Sequence, residues 1–181
     1  QDAITQASKA RGVSQTYMES MAGMESTGNP AAVNGIFHGL YQIGPDAAQQ
    51  VNMSHASVKG SANQANNAMA AAKFAEYNGS QLQRYGYEAS PLNLYLAHNQ
   101  GAAGAATMLD TLKSSPMSGL TYNMAEQKIA GVTNHQQFYD YMKGKMEGIE
   151  DGIKGSDRQT AAKPTDKLGV PKTAILKCSY G

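Results

Sequence analysis

Residues 62 to about 85, "ANQANNAMAAAKFAEYNGSQLQRY", admit little besides a long α-helix. The run is rich in alanine, which loses no side-chain entropy in a helix. Period-2 alternation is scarce anywhere in the 181 residues, so the chain reads as mainly α. Residues 2–11 form a short first helix that stops at Gly12. Ser14 caps a second helix, whose Tyr17, Met18, Met21 and Met24 follow i, i+3/i+4 spacing. Gly28 and Pro30 end that helix. The following "AAVNGIFHGLYQIG" is too glycine-rich for a helix and predicts a tight turn or small hairpin. Pro45 opens a short helix to about residue 51. In "SPLNLYLAHNQG", Ser90 is the cap, Pro91 the first helical residue and Gly101 lies past the end. Helices over 102–113, 123–130 and 134–153 complete the set, and no internal repeat is visible.

Composition divides the chain into one domain, 1–154, and a tail, 155–181. From Met142 onward the only aromatic residue is Tyr180, while Gly, Lys, Thr and Pro accumulate. The tail is therefore expected to wrap the domain or stay mobile, with "TAILKC" a candidate edge strand. The domain is long enough for a real core, since ~150 residues bury about 70% of their unfolded surface. A net charge of +1 and a charged fraction of 16% write no strong attraction to nucleic acid into the balance. No stretch approaches the ~20 apolar residues of a membrane span. The start, "QDAITQASKARG", has no apolar signal-peptide core, and Gln1 in place of Met is expected of a processed product or an excised domain. A lone Cys178 excludes an intrachain disulfide framework, and His38, His55, His98 and His135 are too scattered for a metal site. Phosphate-loop, zinc-protease and nucleophile-elbow motifs are absent, so no cofactor and no metal is expected.

One acid is oddly placed. At about 100° per residue, Met18, Met21 and Glu25 share a helix face, while Glu19 lies about 120° away. Burial among methionines disfavours the charged carboxylate, and so does the negative end of the helix dipole. Both effects favour the protonated acid, which is what a general acid needs. The bland alternative is that Glu25 frays into water where its helix ends.

The residues that follow decide for the first reading. Glu25-Ser26 is followed by Asn29-Pro30, then by Gly39-Leu40-Tyr41-Gln42-Ile43-Gly44-Pro45, and later by Ala97-His98-Asn99-Gln100-Gly101. These three blocks, in this order, resemble the soluble lytic transglycosylases, a family whose fold is related to goose-type lysozyme. The resemblance implies a lysozyme-like helical domain with a small β-hairpin beside a cleft. It implies Glu25 as the catalytic acid/base, Gln42 as an amide bonding sugar, and Tyr41 lining the cleft where the family often has Met. Asn99 matches an Asn beside the cleft, and Ser26 follows the acid. Asn34 stands near the place of a small family Ser, and His98 replaces a Tyr, lining the cleft. The family's fourth block is not recognisable; only "QQFYDYM" offers Tyr139 or Tyr141 as hydrogen-bond donors to Glu25, with Tyr141 favoured. Gln42 as loop scaffolding, and Asn99 as a helix terminus, remain the bland alternatives.

Most glycosidases use two carboxyls. Within 1–120 only Asp46 is near the blocks besides Glu25, and its place in a first helical turn is explained by the dipole. A single acid suits the transglycosylase scheme that the resemblance implies. There, Glu25 protonates the oxygen between N-acetylmuramic acid and N-acetylglucosamine, and the C6 hydroxyl then closes a 1,6-anhydro ring. The alternatives are a hydrolytic lysozyme using water and a non-cleaving wall-binding or virion structural module. "HNQGAAGA" resembles copies in phage virion proteins. The expected partners are thus peptidoglycan strands and other virion proteins, and the expected place of action is the bacterial cell wall or periplasm.

Overall fold

Helix ends and side-chain caps coincide along the chain. In a computed structural model, which describes residues 2–156 and side chains through 149, Asp2 Oδ1 accepts from the Thr5 N–H at 2.8 Å and starts α1 (Ala3–Arg11). Gly12 ends α1 in the left-handed region, φ 65°. Ser14 then caps α2 (Gln15–Ser26) through the Tyr17 N–H. The stop expected at Gly28 falls one residue earlier. Thr27 takes φ 54°, and the N–H groups of Thr27 and Gly28 close on the Gly23 and Ala22 carbonyls.

The glycine-rich loop is a hairpin of β1 (Val33–Asn34) and β2 (Phe37–His38), antiparallel, with Val33 opposite His38 and Asn34 opposite Phe37. α3 (Pro45–Gln50) follows, then two 3₁₀ turns, His55–Val58 and Ser61–Asn63. α4 (Gln64–Arg84) therefore starts slightly later than its alanine content predicts. α5 (Pro91–Ser114) breaks at Gly101, whose φ 73° and ψ 156° leave the helix, so the two expected segments meet there. The helix expected over 123–130 shrinks to α6 (Tyr122–Ala125), because Lys128 turns left-handed at φ 50°. α7 (His135–Ser156) begins where Asn134 Oδ1 accepts from the Gln137 N–H at 2.9 Å. Of the expected tail, residues 157–181, with Cys178 and "TAILKC", lie outside the described residues.

The protein is mainly α with one two-stranded antiparallel sheet. α4 packs on α1 and α5, and α7 lies across α2 and α5. The alanines of α4 permit the close approach: Ala68 and Ala72 are fully buried, and a Cβ on Gly79 would sit 3.2 Å from the Ala89 Cβ. Met18, Phe74, Leu82, Leu96, Met108 and Phe138 fill the spaces between helices. Each large apolar side chain so buried contributes about 1.5–3 kcal/mol.

Tyr41 belongs to this core rather than to a cleft. It is 1% exposed, and its hydroxyl donates to the Met18 carbonyl at 3.0 Å. Burial raises the proton affinity of both Tyr41 and Tyr95 above the usual phenol value of 10.0, with nearby negative charge adding to it. The folded state thus keeps two protons that the unfolded chain releases above pH 10, so stability falls as pH rises past that point. In an alkaline titration, two of the ten tyrosines are expected to ionise only together with unfolding. Circular dichroism recorded beside tyrosinate absorbance checks this; full ionisation of all ten in a still-helical chain contradicts it.

Candidate active site

Glu25 ends α2 on the face carrying Met18 and Met21, which are 0% and 2% exposed. Its side chain is 5% exposed, so the helical period places it inward as expected. Facing it from α5 is His98, 11% exposed, with Nε2 3.4 Å from Glu25 Oε1. The pair is close enough for charge attraction but lacks hydrogen-bond geometry, leaving Glu25 Oε1 a buried acceptor without a donor. Phe74 holds the imidazole edge-on, with ring centroids 5.8 Å apart.

Two further side chains complete the cluster. Tyr95 lies one turn before His98 on the same face of α5, and it feels the charges of Glu25, Tyr141 and Tyr17. Lys145, one turn after Tyr141 on α7, places Nζ 5.9 Å from the centroid of the Tyr95 ring. Burial weakens the hold of Lys145 on its proton, and the negative charge of Glu25 partly restores it. Neither Tyr95 nor Lys145 stands in a motif block. The signal for each was spacing alone: three residues before His98, and four after Tyr141.

The other expected site residues are tied into the scaffold. Ser26 Oγ donates to the Leu40 carbonyl at 2.9 Å, shared with the Ala22 carbonyl at 3.1 Å, and so pins the loop to the end of α2. Gln42 takes φ 47°, and its Nε2 donates to the carbonyls of Gly39 (2.9 Å) and Ala32 (3.3 Å). Its amide protons hold the loop rather than a sugar, as the scaffolding alternative has it. Asn99 is 5% exposed, and its Oδ1 accepts from Gln127 Nε2 at 2.6 Å and from Gln100. A buried amide satisfied inside the protein offers no such group to a ligand. Asn34 lies half-buried on the hairpin beside its turn. Tyr141 is half-buried, reaching the cluster through Tyr95; the hydrogen bond expected from Tyr139 or Tyr141 to Glu25 is not made at Oε1.

Two surface depressions lie elsewhere. One is bordered by Arg11, Ser14 and Glu76, the other by Tyr77, Asn78 and Gln100 beside the break in α5, and no member of the Glu25 cluster lines either. Among the described residues no three His, Cys, Asp or Glu side chains gather as a metal site, and no helix is long and apolar enough to cross a membrane. No protein-family model matches the chain, and no curated protein or solved structure matches it either. The fold and site thus define a helical protein with a buried carboxylate–imidazole pair, flanked by a largely buried lysine.

Proposed function

We propose that the chain is a peptidoglycan-cleaving enzyme of the lytic transglycosylase type, on a lysozyme-like helical fold, with Glu25 as its single acid/base. The observation that carries this reading is the Glu25 carboxylate itself. It is 5% exposed, at a helix C-terminus, with one oxygen lacking a donor and an imidazole 3.4 Å away. Burying such a group is costly and is rarely retained for stability alone. The three blocks around it supply the substrate class.

In this scheme the Glu25 proton goes to the bridging oxygen between N-acetylmuramic acid and N-acetylglucosamine as the bond from C1 breaks. The C6 hydroxyl of the same muramic acid then bonds to C1, and its proton returns to Glu25. Intramolecular attack gains from proximity and needs no second carboxylate to activate water. Asp46, the other acid near the blocks, is exposed in the first turn of α3, where the helix dipole accounts for it. The substrate is the glycan strand of the bacterial wall or periplasm, and other virion proteins are partners if the chain is carried by a phage.

Mass spectrometry of muropeptides released from purified sacculi tests the reading. Products ending in 1,6-anhydromuramic acid are expected, each lighter by one water than the hydrolytic product. Reducing ends point to a lysozyme, and binding without release to a non-cleaving virion module.

A further inference from the structure

Three helices bring ionisable groups to one place: Glu25 from α2, Tyr95 and His98 from α5, Tyr141 and Lys145 from α7. The imidazole covers one side of the carboxylate. We propose that Lys145 is the counter-charge of Glu25, a positioning residue that steadies the carboxylate between delivery and recovery of its proton. This deepens the reading above, and only its kinetic arm rests on it.

The placement of Lys145 is unusual for a lysine. Phe138, Met142 and Met146 form the buried stripe of α7, and Lys145 sits at the border of that stripe rather than on the solvent side. A surface lysine ordinarily lays its stem on apolar surface and keeps its ammonium in water. Lys113 behaves so, over Tyr87 at 4.3 Å, with 68% of its side chain exposed, and Lys143 is 50% exposed. Lys145 instead turns its ammonium inward over the Tyr95 ring, and the acid whose charge reaches it is Glu25. A buried cation without a facing anion is strongly unfavourable, so the pair explains why both charges persist there.

The chemistry gives the pair a task. Once the proton has left for the bridging oxygen, Glu25 is an anion in a site with little water. The Lys145 ammonium holds that anion in place until the C6 hydroxyl proton arrives. Lys145 itself neither gains nor loses a proton over the cycle, and it touches no reacting atom.

The test is a double-mutant cycle on the full chain: Lys145→Met and Lys145→Arg, each alone and with Glu25→Gln. Lys145→Met is expected to lower the melting temperature of the parent by about 5 °C, and to leave or raise that of the Glu25→Gln chain. On sacculi, Lys145→Met is expected to lower kcat about tenfold or more with KM within about twofold, and Lys145→Arg to recover most of it. Equal melting shifts in the two backgrounds overturn the proposal, and so does undiminished kcat in Lys145→Met. If the parent itself leaves sacculi uncut, the proposed activity fails, and the melting comparison alone decides the role of Lys145.

Discussion

Glu25→Gln is expected to lower turnover on purified peptidoglycan by roughly a factor of 10³, with KM little changed. Glutamine has nearly the shape of glutamate but cannot deliver a proton to a bridging oxygen or take one from a hydroxyl. A positioned general acid contributes about 10²–10⁴ in rate, and here one group serves as both acid and base. At about 1.4 kcal/mol per decade, the loss corresponds to roughly 4 kcal/mol of transition-state stabilisation. Ground-state contacts with the sugar do not depend on the proton, so binding to sacculi persists. Turbidity loss of a sacculus suspension measures the effect, and a retained cooperative thermal transition shows that the loss is chemical. Clearing at the parent rate by Glu25→Gln removes Glu25 from catalysis.

That Glu25 points inward was legible because it needs only local geometry. The 3.6-residue period fixes which side chains share a face with Met18 and Met21, whatever those helices pack against. Caps were legible for the same reason: Ser14, Ser90 and Gly12 act on backbone groups within a few residues. The apposition of His98 to Glu25 depends on how α5 crosses α2, and no local period encodes a crossing. Its block promised only a cleft-lining residue, whereas the imidazole faces the carboxylate. Tyr41, Gln42 and Ser26 went the other way. A loop threaded against a helix end must satisfy its own carbonyls and N–H groups, and these side chains are spent on that task. Lys145 was invisible for a statistical reason, since a lysine on an amphipathic helix is usually solvated. Only the approach of α7 to α2 turns it toward an acid.

The loop that presents this site depends on one buried amide, and Asn67→Ala is expected to cost about 3–5 kcal/mol of stability. Asn67 is 0% exposed. Its Oδ1 accepts from the Tyr41 N–H at 3.0 Å, while its Nδ2 donates to the carbonyls of His38 (2.8 Å) and Val58 (3.0 Å). One side chain on α4 therefore joins the hairpin, the loop carrying Tyr41 and Gln42, and the His55–Val58 turn. The close fit needs glycine at position 39, where φ is 79° and a Cβ would lie 2.5 Å from Asn67 Nδ2. The His38 carbonyl keeps a second partner in the Ile43 N–H, so truncation strands mainly the Tyr41 N–H and the Val58 carbonyl. Each orphaned group costs about 1–3 kcal/mol, and the void left by the amide adds to that. At about 2–4 °C per kcal/mol for a chain of this size, the melting temperature should fall by roughly 10 °C. Asn67→Asp separates hydrogen bonding from volume. It keeps the acceptor for Tyr41 but replaces the donor with a charge facing two carbonyls, so it should be at least as destabilising at neutral pH. Because Ser26 fastens the same loop to the end of α2 that carries Glu25, cell-wall clearing should weaken in Asn67→Ala below its melting point as well. A melting temperature within about 2 °C of the parent in both variants means that the three hydrogen bonds do not hold the loop, and that Glu25 is positioned by its own helix alone.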